Sequence, residues 1–229
     1  MEKRYARNLG MFSEEEMSTL LTKQVAVIGC GGLGGFIIEM MARLGVKKLL
    51  VVDSDVFDET NLNRQLLSDE ASMGLSKALQ AKKRVALINS SVDVVAVEER
   101  LSLDNGGSIL TGCDVLLDAV DNIGTRFMLQ QLAEELEIPM IHGAIAGWYG
   151  QVSTLFPGDR TMGVIYPHGE ENDKGIEVQL GNPSFTPALI ASIQVAEAVK
   201  VLIGRGEVLR KTLLYIDTLH QEYEKVQLD

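Results

Sequence analysis

A chain of 229 residues, 46% of them apolar, can close a sizeable core as one domain or as a domain with a small lobe. Its 21 Lys and Arg against 32 Asp and Glu give a net charge of −11, which argues against a nucleic-acid partner because phosphate backbones need a basic face. Two cysteines, Cys30 and Cys113, exclude a disulfide framework and a four-thiolate zinc site, and no run of about 18 uncharged apolar residues offers a membrane span.

The start, MEKRYARNLGMFSEEEM, is charged and lacks an apolar signal core, so a cytoplasmic protein is expected. Ser13-Glu14-Glu15-Glu16 reads as a capping box that opens a short helix, with Phe12 as its hydrophobic staple. QVAVIG predicts a buried strand, GGFIIEMMARLG a helix closed by Gly45, and KKLLVVD a second strand ending at Asp53. The polar stretch SDVFDETNLNRQLLSDEASMG is too long for an ordinary connection, which marks it for function. LSKALQAKKRVALINS is helical and VDVVAVEE strand-like. CDVLLDAVDN is a strand whose end turns acidic, GTRFMLQQLAEELEI is helical, and PMIHGAIAG is another strand. This alternation over residues 24–146 predicts a Rossmann-like α/β fold, doubly wound, with a mostly parallel sheet and helices on both faces. Beyond it, GQVSTLFPG suggests antiparallel strands. Residues 157–182 look irregular and polar, a helix runs from about Pro187 to Gly204, and TLLYIDTLHQEYEKVQL forms a hairpin.

Gly29, Gly31 and Gly34 match GxGxxG, and Gly32 lies within the same turn. The three glycines serve a tight turn, close approach of phosphate to backbone, and close packing of helix on strand. The helix N-terminus adds free N–H groups and partial positive charge. Asp53, 19 residues past Gly34 at the end of the next strand, suits ribose hydroxyls. Alone, this motif reads as nucleotide binding with NAD as the default. Asn61 and Arg64 in NLNRQLL, and Lys77 at the start of the next helix, shift the reading toward a triphosphate, whose charge needs cations if another anion is to attack it. Asp121 has the oxygen chemistry to hold magnesium. Taken alone, Asp121 or Asn122 reads first as a cap of the following helix. Asp118 lies an odd spacing from Asp121, so the two face opposite ways if the strand continues that far.

In order and spacing, RYARN, VIGCGGLGG, VVDSDVFDETNLNRQLL, MGLSKALQAKKRVALIN, DAVDNIGTRF, HGAIAGWYGQVSTLFPG and SIQVAEAVKVLIG resemble the ThiF/MoeB/HesA family, relatives of the ubiquitin-activating enzymes, over nearly the whole chain. The resemblance implies an ATP-dependent adenylyltransferase. It would activate the C-terminal glycine of a ubiquitin-like sulfur carrier with a Gly-Gly tail, giving an acyl-adenylate and pyrophosphate. It implies ribose binding by Asp53, phosphate contacts by Asn61, Arg64 and Lys77, magnesium at Asp121, and Arg7 reaching into the partner's site of a homodimer. Residues 1–229 form one adenylation unit on this reading, with a nucleotide core at 24–146 and carrier docking over 147–229. A crossover loop at 157–182 would lie over the carrier tail. Many relatives carry two CxxC pairs for zinc and a crossover-loop cysteine. This chain has neither, so adenylation without a thioester step is expected.

Cys30 and Cys113 read as packed structural thiols. His142, at a strand end near the site, reads as a satisfied, partly buried imidazole, and His168 and His220 show no metal-ligand spacing. Trp148 and Tyr149 either floor the carrier tail or fill the junction between sheet and lobe. Three rival functions are an NAD-dependent oxidoreductase, a non-catalytic carrier scaffold, and adenylation of a modified tRNA base. Against the first stands the lack of a Tyr-xxx-Lys pair and of a separate substrate domain.

Overall fold

Alternate side chains of the central strands go to opposite cores, and this builds the layers. In β1 (Gln24–Ile28), Val25 and Val27 join one buried cluster while Ala26 and Ile28 join the other. In β2 (Lys48–Val52), Leu49 and Val51 face the first cluster and Leu50 and Val52 the second. Strands buried on both faces require helices above and below. The computed structural model describes residues 2–169 and 177–228.

The first layer holds α1 (Glu14–Leu20), α2 (Gly32–Leu44), α3 (Lys77–Ile88) and α8 (Phe185–Ile203). The second holds α4 (Leu103–Leu110), α5 (Ile123–Glu135) and α6 (Thr161–Ile165). A short α7 (Glu177–Leu180) precedes α8. With β3 (Asp93–Val97), β4 (Val115–Asp118), β5 (Met140–Ala146), β6 (Tyr149–Leu155), β7 (Thr212–Asp217) and β8 (Glu222–Gln227), the sheet order is β3-β2-β1-β4-β5-β6-β7-β8. Pairing is parallel from β3 to β5 and antiparallel from β5 to β8. The Rossmann-like, doubly wound, mostly parallel sheet with an antiparallel extension is therefore present. Strand order reverses between β1 and β4, and ligands bind open α/β sheets in the crevice at such a reversal.

The capping box at Ser13 forms, with the Ser13 hydroxyl accepting from the Glu16 N–H at 3.1 Å, and Phe12 and Met17 are buried in one cluster. The long helix begins at Phe185, two residues earlier than its Pro187 start in the sequence reading. By length and composition alone it could cross a bilayer, yet it carries Glu197 and Lys200 and buries Ile190, Ala191, Val195 and Ala198 in the first core. Helix α4 is absent from the sequence reading because Gly106 and Gly107 lower helix propensity. A Ser102–Asn105 capping box opens it, and Gly106 packs so tightly on Leu132 that a Cβ would stand 2.5 Å from that side chain. Within 157–182, read as irregular, α6 and α7 are two short helices, and residues 170–176 lie outside the described residues.

Candidate functional site

Backbone hydrogen bonds tie the glycine turn into the sheet. The Gly29 N–H donates to the Val52 carbonyl at 2.8 Å, and the Ala119 N–H donates to the Ile28 carbonyl at 2.9 Å. Gly29 has φ +96°, and a Cβ there would lie 2.5 Å from the Ala119 carbonyl oxygen. Gly31 is the N-cap of α2 and has no side chain to cap it, so first-turn N–H groups are left for an anion. Around Gly31 and Gly32 a Cβ would meet only ordinary contacts, from Gln65, Pro187 and Arg64. The turn is thus tight where it meets the sheet and open where a phosphate would come.

Asp53 follows β2, and both its carboxylate oxygens accept backbone N–H groups. Cys30 donates to one at 2.7 Å and Asp55 to the other at 2.8 Å. Burial pushes its carboxyl above the usual range, against those two hydrogen bonds and the nearby Lys77 charge. The second lone pair of each oxygen remains for a ribose hydroxyl.

Lys77 is the first residue of α3 and is only 7% exposed. Its Nζ lies 3.2 Å from Asp55 Oδ2, and its charge reaches Cys30 and Asp53 beside the glycine turn. A cation at a helix N-terminus opposes the helix dipole, costing about 0.3–1 kcal/mol. Burial adds to that cost, so the position is held against local preference.

The Arg64 stem packs over Gly32, where a Cβ would lie 3.8 Å from it, and its Nη1 donates to the Thr60 carbonyl and to Asn63 Oδ1. Asn61 is buried, and its Oδ1 accepts from the Asp58 N–H at 3.3 Å, so it also organises the turn that carries Arg64. Gln65, which sequence reasoning did not single out, is buried beside Gly31 with its Oε1 lacking a hydrogen-bond partner among the described residues. Its place in the NLNRQ run is the signal the sequence offers for it.

Strand β4 ends at Asp118, so the expected alternation between Asp118 and Asp121 does not extend to the latter. Asp121 is exposed beyond the strand. Asn122 caps α5, its Oδ1 accepting from the Thr125 N–H at 2.7 Å. Replacing Asn122 with alanine should cost about 1 kcal/mol of stability and Asn122→Ser should recover most of it, as urea unfolding would show. Equal losses in both variants would exclude capping as the main role.

His142 is fully buried, where the sequence reading placed a partly buried ring. Burial pushes its imidazole below the usual value, against the pull of Asp118. The carboxylate accepts from Nδ1–H at 2.7 Å, which leaves Nε2 to accept from Gln151 Nε2 at 3.2 Å.

Arg7 is exposed. Tyr5, two residues earlier, is anchored by its hydroxyl to Asn89, which in turn donates to the Ala42 carbonyl near the end of α2. Ala42 lies ten residues along α2 from Gly32, about 15 Å of helix from the glycine turn. Cys30 and Cys113 are both buried, and burial pushes the Cys113 thiol up to about 11.

This cradle, with its carboxylate, its two cations and its NLNRQ turn, extends the sequence resemblance into three dimensions. Residues 5–229 match the ThiF family. The chain belongs to that family. It is 35% identical over 226 residues to the SAMP-activating enzyme E1 of Haloferax volcanii, covering 97% of this chain and 84% of that one. It is 32% identical over 241 residues to the sulfur carrier protein adenylyltransferase of Thermus thermophilus, covering 97% and 86%. Among solved structures, E. coli MccB with succinimide superposes with a TM-score of 0.81 at 17% identity, covering all of this ThiF-family chain and 72% of the other, which shows a shared fold.

Proposed function

We propose that this ThiF-family chain is an ATP-dependent adenylyltransferase that activates the C-terminal glycine carboxylate of a ubiquitin-like sulfur carrier. One observation carries the reading: a buried ammonium, Lys77, is placed against the helix dipole beside a glycine turn. A dinucleotide's two phosphates can be managed by the turn and the helix end, whereas a triphosphate under attack by an anion needs cations. The names of the Haloferax and Thermus relatives support the same chemistry.

ATP enters with its phosphates over Gly31 and Gly32 and its ribose at Asp53. The carrier carboxylate attacks the α-phosphorus, the bond to the bridging oxygen breaks, and pyrophosphate leaves with the electron pair. Lys77 and Arg64 balance charge that builds on the phosphate oxygens, so catalysis is positioning plus preset electrostatics. Asp121 is a lone exposed carboxylate at the rim, and no group of three His, Cys, Asp or Glu gathers among the described residues. That donor set suits magnesium arriving with ATP, which is held by one or two carboxylates together with phosphates and water. Magnesium shields the phosphate charge when bound. The antiparallel half and the described parts of residues 157–182 receive the carrier tail, and Arg7 completes the site of a second copy in a homodimer.

ATP–pyrophosphate exchange with candidate Gly-Gly-ended proteins tests this. Exchange should depend on the carrier, ignore NAD, and fall about 10²-fold in Asp121→Ala. Retained ATP binding with no exchange for any carrier would leave a scaffold instead.

A further inference from the structure

Behind the β4–α5 turn lies a buried ionic cluster that takes no direct part in the phosphate cradle. Asp118, fully buried at the last position of β4, accepts from the Val120 N–H at 3.1 Å through Oδ1. Its Oδ2 lies 2.7 Å from His142 Nδ1 and 3.5 Å from Arg126 Nε. Arg126, 5% exposed, donates through Nη2 to the Val120 carbonyl at 2.9 Å. Val120 is therefore gripped at both its N–H and its carbonyl by two oppositely charged groups. His142 Nε2 and Arg126 Nη1 each lie 3.3 Å from the Tyr166 hydroxyl, just past α6. From the other layer, Gln194 Nε2 donates to the Asp118 carbonyl at 2.8 Å and to that of Ile141 at 3.2 Å.

Burying a carboxylate and a guanidinium costs several kcal/mol per ion before pairing, and a well-packed apolar pair is often as stable. Stability alone does not account for the cluster. What it does specify is the path of one turn, and the residue that follows Val120 is Asp121.

We propose that Asp118 and Arg126 are positioning residues for Asp121: they clamp Val120 so that the Asp121 carboxylate is preset for the magnesium–ATP complex, while His142 holds Asp118 in its rotamer. This rests on the adenylation reading for its substrate. A preset ligand avoids the ordering cost of a loose loop, so the clamp should act on magnesium-linked binding and leave the glycine cradle unaffected.

The test is ATP titration calorimetry with and without magnesium on the wild type, Asp118→Asn, Arg126→Lys, Asp121→Ala and the double variant Asp118→Asn/Asp121→Ala. In the wild type magnesium should tighten ATP binding. Asp118→Asn should lose at least about fivefold of that gain while its magnesium-free ATP affinity stays within about twofold, and Arg126→Lys should fall between the two. The double variant should be no worse than Asp121→Ala, because one residue acts through the other. A folded Asp118→Asn with the full magnesium gain, or losses that multiply in the double variant, would overturn the proposal. Should Asp118→Asn fail to fold, Arg126→Lys, alone and combined with Asp121→Ala, keeps the charge opposite Asp118 and faces the same two outcomes. Magnesium-linked binding that depends on Asp118, without exchange for any carrier, sinks the adenylation reading and leaves the clamp standing. A wild type that binds no ATP overturns both.

Discussion

Lys77→Ala should lower carrier-dependent pyrophosphate exchange by about 10²–10³-fold without lowering the melting temperature. Both halves follow from where the ammonium sits. It is buried beside the glycine turn, so its field on an incoming phosphate is weakly screened, and removing such a preset group costs about 3–4 kcal/mol of transition-state stabilisation. Its partner Asp55 has a side chain 69% exposed, so the carboxylate left behind stays hydrated. The lost ion pair is offset by relief of the unfavourable charge at the α3 N-terminus. Arg64→Ala should cost less, since Arg64 is half-exposed and its guanidinium is turned to the Thr60 carbonyl and Asn63. Exchange assays paired with thermal melts decide the matter. A Lys77→Ala protein exchanging within threefold of wild type, or one melting far lower, would mean the lysine is there for the fold.

A methyl group at Gly34 should do the reverse and damage the fold first. Its Cβ would fall far inside van der Waals contact distance of the Gly29 carbonyl oxygen, with the Ala119 side chain 3.4 Å away. Both obstacles belong to the junction of β1, β4 and α2, and a backbone oxygen cannot rotate aside. Gly34→Ala should therefore cost about 3 kcal/mol or more, roughly 6–12 °C in melting temperature for a chain of this size. Gly32→Ala is the control, because there a Cβ meets only Pro187 at 3.7 Å and the Arg64 stem at 3.8 Å. It should melt within about 2 °C of wild type and weaken ATP binding, since the methyl occupies space on the phosphate side. If Gly34→Ala melted like Gly32→Ala, the tight junction of α2 on β1 would be wrong.

The cradle was legible because its parts are local. Glycines at fixed offsets, a carboxylate one strand later, and serine or asparagine before a helix are short patterns: Ser13 and Asn122 bond N–H groups three residues on, and Gly29 and Asp53 sit where their patterns predicted although their contacts, at Val52, Ala119 and Cys30, lie across the sheet. Helix α4 was missed for the same reason: its local signal, two glycines, points the wrong way, and packing on Leu132 overrides it.

By itself the sequence determined the strand order along the chain, the helices other than α4, α6 and α7, the glycine turn and the cation-bearing NLNRQ segment, because periodicity and turn chemistry are properties of neighbouring residues. Only the tertiary structure decided that Lys77 is buried beside Asp55, that the Tyr5 hydroxyl meets Asn89 beside the last turns of α2, and that Asp118 meets His142 and Arg126. The last depends on strand register. Leu116 pairs with Met140, which brings Asp118 level with His142, and a slip of one residue would have turned the imidazole to the other layer. Register is set by how two cores pack on one sheet, and no spacing along the chain records it.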